Sequence, residues 1–195
     1  MVGSVLDPRA YLHMFKIVNY YNYIHVTPLR RVQRGRGVTI SPTVWFAEPD
    51  RIRLGNAVHL NGGCMLWAGP STGTITVGDN ALFGPNVMVT AANYRFNDGQ
   101  PVTEQEMDEQ DVVIGRDVWL GTGVTVLPGA KIGDGCVVAA GSVVRGTFPP
   151  FSIIAGAPAK VVGQRTQPRA AKAADLKVIK DRPERAPARD ERSAG

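Results

Sequence analysis

The chain has 195 residues, of which 44% are hydrophobic, with 22 glycines, 14 prolines and a formal net charge of +5. This length predicts one domain with a short tail, and the glycine and proline content indicates a fold rich in turns. No segment approaches the roughly 18 apolar residues of a membrane span, no signal-peptide core begins the chain, and aromatic residues do not alternate with a basic stripe. We therefore expect a cytoplasmic protein that does not bind nucleic acid.

A helix is predicted near the start of the chain, because the Asp-Pro pair at residues 7–8 suits an N-cap and the first helical position. Residues 8–24 are mostly apolar and aromatic, which predicts a helix that caps the open end of a repeat fold. Four arginines follow between residues 30 and 36. A second interpretation is therefore a weak contact of residues 8–36 with anionic lipid at a membrane surface. We assign residues 1–37 to this helix and its basic connector.

A six-residue repeat occupies the middle of the chain and decides the fold class. Residues 112–147 read VVIGRD VWLGTG VTVLPG AKIGDG CVVAAG SVVRGT. The third position of each hexad is aliphatic, and the fourth is often glycine. The first and third positions share one side of a short strand, because side chains alternate along it. Glycine at the fourth position lets the backbone turn a corner. Three hexads close a triangular coil, so the hexads from residue 38 onward predict an all-β parallel β-helix of about five coils.

The cysteines and histidines do not indicate a metal or thiol site. Cys64 and Cys136 both occupy first positions of hexads, so we expect small core residues rather than nucleophiles. Of His13, His25 and His59, only His59 lies in the repeat. A zinc site with three histidine ligands is therefore not expected.

The repeat breaks at VTAANYRFND, residues 89–98. In the hexad frame Asn93 occupies an inward first position, so Tyr94 is predicted to point outward. The irregular residues 95–111 follow and include five acidic residues and no basic one between positions 104 and 111. We interpret them as a loop inserted into the coil.

Four segments resemble the hexapeptide-repeat acyltransferases, in particular the maltose, galactoside and surface-polysaccharide O-acetyltransferases. They are IGRDVWLG (114–121), VLPGAKIGDG (126–135), AAGSVV (139–144) and IAGAPAKVV (154–162). The resemblance covers about residues 38–165, which we assign to the acyltransferase domain. It implies a left-handed coil, a homotrimer with clefts between subunits, acetyl-CoA as co-substrate and no metal.

The resemblance also implies a site. In the family a histidine that follows the break acts as the base, and Tyr94 stands at its place here. A phenol with a pKa of about 10 is a poor base at neutral pH. One interpretation is that Tyr94 donates a hydrogen bond to the thioester oxyanion or the leaving thiolate while another group or water takes the proton. Another is that Tyr94 is a surface residue that only packs the loop. The candidate catalytic residues are Tyr94 and Asn93.

Two further groups of residues are implied to bind CoA. Trp119, at the outward second position of its hexad, resembles the family's tryptophan that lines the cleft. Thr122, Ala140, Gly141 and Ser142 resemble the residues along the pantetheine arm. Those expected to share one edge of the coil near the nucleotide phosphates are Arg145, Lys160 and Arg165.

The resemblance implies an acetyl-CoA-dependent O-acetyltransferase that modifies a sugar hydroxyl in surface polysaccharide or glycolipid biosynthesis. Two alternatives remain open. One is N-acylation of an amino sugar, and the other is a catalytically impaired scaffold that binds CoA. Residues 166–195 are rich in alanine, proline and charge, so we expect a disordered tail and assign it no chemistry.

Overall fold

The computed structural model of the chain describes residues 7–166. Two α-helices, α1 (Pro8–Tyr21) and α2 (Thr27–Arg31), flank a π-helical turn, Asn22–Val26, and 3-10 turns occur at Pro49–Arg51 and Val102–Glu104. The strands are β1 (Gln33–Arg34), β2 (Thr39–Ile40), β3 (Trp45–Ala47), β4 (Ile52–Leu54), β5 (His59–Leu60), β6 (Met65–Trp67), β7 (Ile75–Val77), β8 (Leu82–Phe83), β9 (Met88–Thr90), β10 (Ala92–Tyr94), β11 (Met107–Glu109), β12 (Val112–Ile114), β13 (Trp119–Leu120), β14 (Thr125–Val126), β15 (Lys131–Ile132), β16 (Val137–Val138), β17 (Val143–Val144), β18 (Thr147–Phe148), β19 (Ser152–Gly156) and β20 (Ala159–Gln164). The predicted disordered tail lies outside the described residues, except for its first residue.

Three sheets form the walls of a parallel β-helix. The first sheet has the order β1-β4-β7-β12-β15-β18, the second β2-β5-β8-β13-β16-β19-β20, and the third β3-β6-β9-β14-β17. Successive strands of a sheet are parallel and one coil apart, apart from β20, which runs antiparallel to β19. The described chain therefore completes five coils and begins a sixth, which confirms the predicted fold. The first coil starts at β1 rather than at residue 38, because the exposed Gln33 and Arg34 hide the apolar pattern there.

The hexad frame correctly predicts which side chains lie inside the coil. Val118 and Leu120, at the first and third positions of one hexad, are buried in the core. Both cysteines are free and buried, as predicted. Burial raises the pKa of the Cys64 and Cys136 thiols, so both stay protonated and uncharged in the core.

Glycine is required where one coil stacks closely on the next. A Cβ at Gly121 would lie 2.6 Å from the backbone nitrogen of Ala140, one coil later. Such a contact is closer than real Cβ atoms make, so only glycine fits this corner between the second and third sheets. The same close stacking brings the backbone groups of Thr122 and Gly141 into register, with the Gly141 N–H donating to the Thr122 carbonyl at 2.9 Å.

The N-terminal helix is present, but a different part of the helical segment closes the coil. Within residues 7–166, no contact buries any residue of α1. The cap is formed by the π-helical turn and α2, where the His25 Nδ1 lies 2.7 Å from the Val44 carbonyl oxygen and Leu29 packs on the core. The prediction that residues 8–24 provide the cap is therefore wrong for α1, because an apolar pattern does not reveal which turn docks. Among the described helices, none is long and apolar enough to cross a membrane.

Candidate active site

The break in the repeat is a β-hairpin rather than a plain loop. β10 leaves the coil after β9 and pairs antiparallel with β11, which places Tyr94 opposite Met107. Ala91 and Ala92 are buried, whereas Asn93 is exposed. The predicted inward orientation of Asn93 is therefore wrong, because the hexad frame ends where the hairpin leaves the coil. Tyr94 points outward as predicted, with 46% of its surface exposed.

Glu109 attaches the base of the hairpin to a second interruption of the coil, residues 69–73. Its carboxylate accepts backbone N–H bonds from Ser71 at 2.8 Å, Thr72 at 2.6 Å and Gly73 at 2.5 Å. Partial burial acts to raise the pKa of Glu109, but these N–H donors outweigh it and the pKa is lowered overall. The carboxylate is thus the stable form and holds the two segments together.

Sequence reasoning missed this role of Glu109. The available signal was that the two interruptions, GPST and NYRF, follow strands β6 and β9, which are neighbours in the third sheet. Segments that leave the same corner of adjacent coils must lie side by side. An acidic residue in one segment can then accept hydrogen bonds from backbone N–H groups of the other.

Tyr94 lines a groove of about 490 Å³ beside the hairpin. Phe96, Leu127 and Pro128 supply apolar surface there, and Arg145 lies on the same groove with its side chain exposed. The neighbouring Arg95 is already engaged, because its Nε lies 2.7 Å from Asp108 and its Nη1 lies 3.2 Å from Glu106. Arg145 therefore supplies the positive charge available to a ligand in this groove.

Trp119 lies on the outer face of the second sheet, with 51% of its surface exposed. It lines a second groove, of about 690 Å³, in one column with His59, Leu82, Val137 and Ile153. These five residues occupy matching positions on the stacked strands β5, β8, β13, β16 and β19. The outward orientation predicted for Trp119 is what the structure shows.

The residues predicted to lie along the pantetheine arm are at the corner between the second and third sheets, and all but one of them are exposed. Thr122, Ala140 and Gly141 are exposed there. Ser142 is only 1% exposed, and its hydroxyl donates to the Ala139 carbonyl at 2.7 Å and accepts from the Gly156 N–H at 3.1 Å. Its hydroxyl joins the corner to the β19–β20 hairpin, and the predicted contact of Ser142 with CoA stays a prediction.

The predicted phosphate-binding residues do not share one edge. Arg145 follows β17 at the corner between the third and first sheets. Arg165 lies at the corner between the first and second sheets, where its Nη1 is 2.9 Å from the Asp117 carboxylate and 3.1 Å from the Gly135 carbonyl oxygen. Lys160 is exposed on β20, opposite Ala155. The prediction of one edge failed because β20 turns back along β19 and leaves the hexad frame.

A single chain does not bring the two halves of the predicted site together. Tyr94 stands at the corner between the third and first sheets, whereas Trp119 lies on the second sheet, which faces away from that corner. Within residues 7–166 no cluster of three His, Cys, Asp or Glu side chains offers a metal site. The chemistry of the two grooves thus rests on a phenol, an indole, an imidazole, exposed backbone groups and separate cations.

Comparison with known proteins identifies relatives with this organisation. Residues 111–146 match the family described as "Bacterial transferase hexapeptide (six repeats)". WbbJ of Escherichia coli (strain K12), whose name assigns it to O-acetyl transfer in lipopolysaccharide biosynthesis, is 35% identical over 183 residues, covering 83% of this chain and 85% of that protein. The galactoside O-acetyltransferase of the same organism is 32% identical over 133 residues, covering 66% of this chain and 61% of that protein.

Solved structures agree with the sequence relatives. A galactoside acetyltransferase in complex with coenzyme A superposes with a TM-score of 0.64 at 30% identity, covering 69% of this chain and 65% of that one. A hexapeptide-repeat acetyltransferase from Vibrio cholerae O1 biovar eltor, complexed with acetyl coenzyme A, gives a TM-score of 0.65 at 26% identity over 72% of this chain and 75% of that one. These similarities confirm the predicted left-handed β-helix. The chain belongs to the hexapeptide-repeat acetyltransferases and is itself an acetyltransferase.

Proposed function

We propose that this protein transfers an acetyl group from acetyl-CoA to a hydroxyl group of a sugar, in the biosynthesis of a surface polysaccharide or glycolipid. The observation that carries the proposal is the pair of separate half-sites. Tyr94 and Trp119 are both exposed, yet they lie on different sides of one coil. A homotrimer completes the site when the Tyr94 hairpin of one subunit faces the Trp119 groove of the next.

The groove around Trp119 suits the pantetheine arm of CoA. Its floor is apolar, from Leu82, Val137 and Ile153, and the exposed corner with Thr122 and Gly141 offers backbone hydrogen-bonding groups nearby. An elongated ligand with amide groups along an alkyl chain is complementary to such a surface. Lys160 and Arg145 are the exposed cations assigned to the phosphates, each from its own edge of the coil. The activity is assigned to residues 38–165.

Tyr94 is assigned to the reaction as a hydrogen-bond donor. When the acceptor oxygen attacks the thioester, negative charge develops on the carbonyl oxygen and then on the leaving sulfur. A phenol donates to such an anion without having to lose its proton first. Its exposed position on a hairpin tied down by Glu109 is consistent with that role.

Acetyl-CoA binding is the first test. Millimolar acetyl-CoA should raise the melting temperature by mass action. The shift should be largely lost in Trp119→Ala and retained in Val113→Ala, since Val113 is an exposed outward residue of the first sheet. An unchanged melting temperature of the wild type would replace the enzyme proposal with a structural role.

Acceptor choice is the second test. Release of the CoA thiol is measured with panels of sugars that differ only in a hydroxyl or an amino group. Faster release with hydroxyl acceptors supports O-acetylation. Faster release with amino sugars favours N-acylation, because a neutral amine attacks without a base and the family's histidine is replaced by Tyr94. No release with either panel, together with intact acetyl-CoA binding, identifies an impaired scaffold.

The trimer is tested by multi-angle light scattering at micromolar concentration. A stable monomer overturns the shared site, because one chain keeps Tyr94 and Trp119 apart. A trimer should further allow complementation. Mixed trimers of Tyr94→Phe and Trp119→Ala subunits contain some clefts with both native residues and should therefore regain part of the activity that each variant lacks alone.

We also propose a weak contact of residues 8–36 with an anionic membrane surface, and a cytoplasmic location for the enzyme. These residues include six Arg and Lys and no acidic residue. Met14, Phe15 and Val18 lie exposed along α1. An apolar helix face followed by basic residues is typical of helices that bind in the plane of a membrane interface. Co-sedimentation with anionic but not with neutral vesicles would support the contact, and loss of α1 exposure on self-association would oppose it.

A further inference from the structure

His59 shares the outer face of the second sheet with Trp119. It lies on β5, its neighbour in register is Leu82 on β8, and the next is Trp119 on β13. Since neighbouring strands are about 4.8 Å apart, the imidazole and the indole start about 10 Å apart along one column. Both line the same groove.

The imidazole is held by one nitrogen and free at the other. The His59 Nδ1 lies 2.6 Å from the Thr39 hydroxyl oxygen on β2, the adjacent strand. Within residues 7–166, the His59 Nε2 makes no hydrogen bond and the side chain is exposed to the groove. A ring fixed through one nitrogen presents the other in a defined direction, which is how catalytic histidines are oriented.

The surroundings leave His59 as the one imidazole of the described residues that faces this groove. The charged groups that line the groove are Asp117 and Arg165, and they pair with each other at 2.9 Å. His25 is buried with its Nδ1 at the Val44 carbonyl, and His13 lies on α1. Transfer to a hydroxyl needs a proton acceptor, and a phenol at position 94 supplies a poor one.

We propose that His59 is the general base of the acetyl transfer, which rests on the proposed function above. The His59 Nε2 takes the proton of the acceptor hydroxyl while that oxygen attacks the thioester carbonyl carbon. Tyr94 of the adjacent subunit donates to the resulting oxyanion. The carbon–sulfur bond then breaks, the proton passes from Nε2 to the sulfur, and the products are the O-acetyl ester and free CoA thiol. The base has thus moved from the hairpin to the opposite wall of the cleft.

The test compares single and double variants by CoA thiol release with a hydroxyl acceptor. His59→Gln should lower turnover by about 10²-fold or more, as loss of a general base does, while acetyl-CoA still raises the melting temperature. Lys131→Gln, an exposed outward residue of the first sheet, is the surface control and should match the wild type. Turnover of the wild type should fall at low pH, because a protonated base cannot accept a proton. This fall should be absent from the pH–rate profile of His59→Gln.

The double variant separates a base from a structural residue. Tyr94→His places an imidazole on the hairpin. The double variant His59→Gln/Tyr94→His should therefore turn over at least ten-fold faster than His59→Gln. Equal turnover of His59→Gln and wild type overturns the proposal, as does an unchanged pH profile. Loss of acetyl-CoA binding in His59→Gln also overturns it in favour of a binding role. A wild type that releases no thiol overturns the proposed function itself, and the role of His59 falls with it.

Discussion

The coil and the hairpin that interrupts it are stabilised in different ways. In the coil, residues such as Leu66 and Phe83 are fully buried, and the strands that carry them, β6 and β8, are each paired on both sides. In the hairpin, residues 92–109, the interactions are mostly exposed ion pairs and hydrogen bonds, including Arg95 with Asp108 and Glu109 with the loop at residues 71–73. Exposed pairs contribute about 0–1 kcal/mol each, whereas buried aliphatic side chains contribute more. The buried coil is therefore the more stable region, and Tyr94 lies on the less stable hairpin.

The largest expected effect is a core truncation. Leu66→Ala should reduce the free energy of unfolding by about 2–5 kcal/mol, because it removes buried methyl groups and leaves a cavity between closely packed coils. Asn97→Ala, an exposed substitution in the hairpin, should change it by less than about 0.5 kcal/mol. Guanidinium denaturation measures both. Similar losses in the two variants would mean that the hairpin is as integral to the fold as the core.

The next effect concerns turnover rather than stability. Tyr94→Phe should lower turnover about ten-fold or more with the fold and CoA binding intact, because an oxyanion donor is lost. Tyr94→His should support hydroxyl acetylation at least as well as the wild type. Steady-state thiol release measures both, with circular dichroism as the check on folding. Equal rates in all three proteins would reduce Tyr94 to a packing residue of the hairpin.

The coil could be predicted in detail from the sequence because the six-residue period determines both where each strand lies and which side chains point into the core. Wherever the period holds, as at Cys64, Cys136 and Trp119, the predicted orientation is the one found. The predicted inward orientation was wrong for Asn93, which belongs to an antiparallel ribbon. The predicted shared edge was wrong for Arg165, which follows the reversal into β20. Orientation in those segments depends on long-range partners that no local pattern encodes. Ser142, a small polar residue at an inward first position, is buried because the backbone satisfies its hydroxyl.

Two glycines offer a matched comparison of backbone freedom. Gly123, at a corner of the coil, and Gly99, in the hairpin segment, both have a positive φ, of 67° and 75°. A Cβ at either position would meet no atom of the described residues within 4 Å, apart from its own chain neighbours. Gly123→Ala should lower global stability by about 1 kcal/mol, because alanine is strained at positive φ. Gly99→Ala should leave global unfolding unchanged and affect only local opening, which hydrogen exchange detects. An equal loss of global stability would show that the two regions unfold as one unit.

The smallest effect is a response to acid at the base of the hairpin. The pKa of Glu109 is lowered in the folded chain, so its contribution is present above the unfolded value, about 4.3, and is lost as the pH falls through the folded pKa. Amides of Ser71, Thr72 and Gly73 should then lose exchange protection, after correction for intrinsic rates. In Glu109→Gln their protection should be lower at neutral pH and insensitive to acid. Protection that is independent of pH in the wild type would remove Glu109 as the anchor.

The reversal of β20 along β19 has a consequence for how the molecule ends. A parallel β-helix can in principle grow without limit, since the last coil presents unpaired N–H and C=O groups to any strand that arrives in register. Beside β19, at the end of the second sheet, that position is taken by a strand of opposite direction from the same chain, and the Ser142 hydroxyl binds the Gly156 N–H at the reversal. At the other end, α2 and the π-helical turn lie over β3. The reversed strand at one end and the helical turns at the other thus oppose end-to-end polymerisation of the coil into fibres.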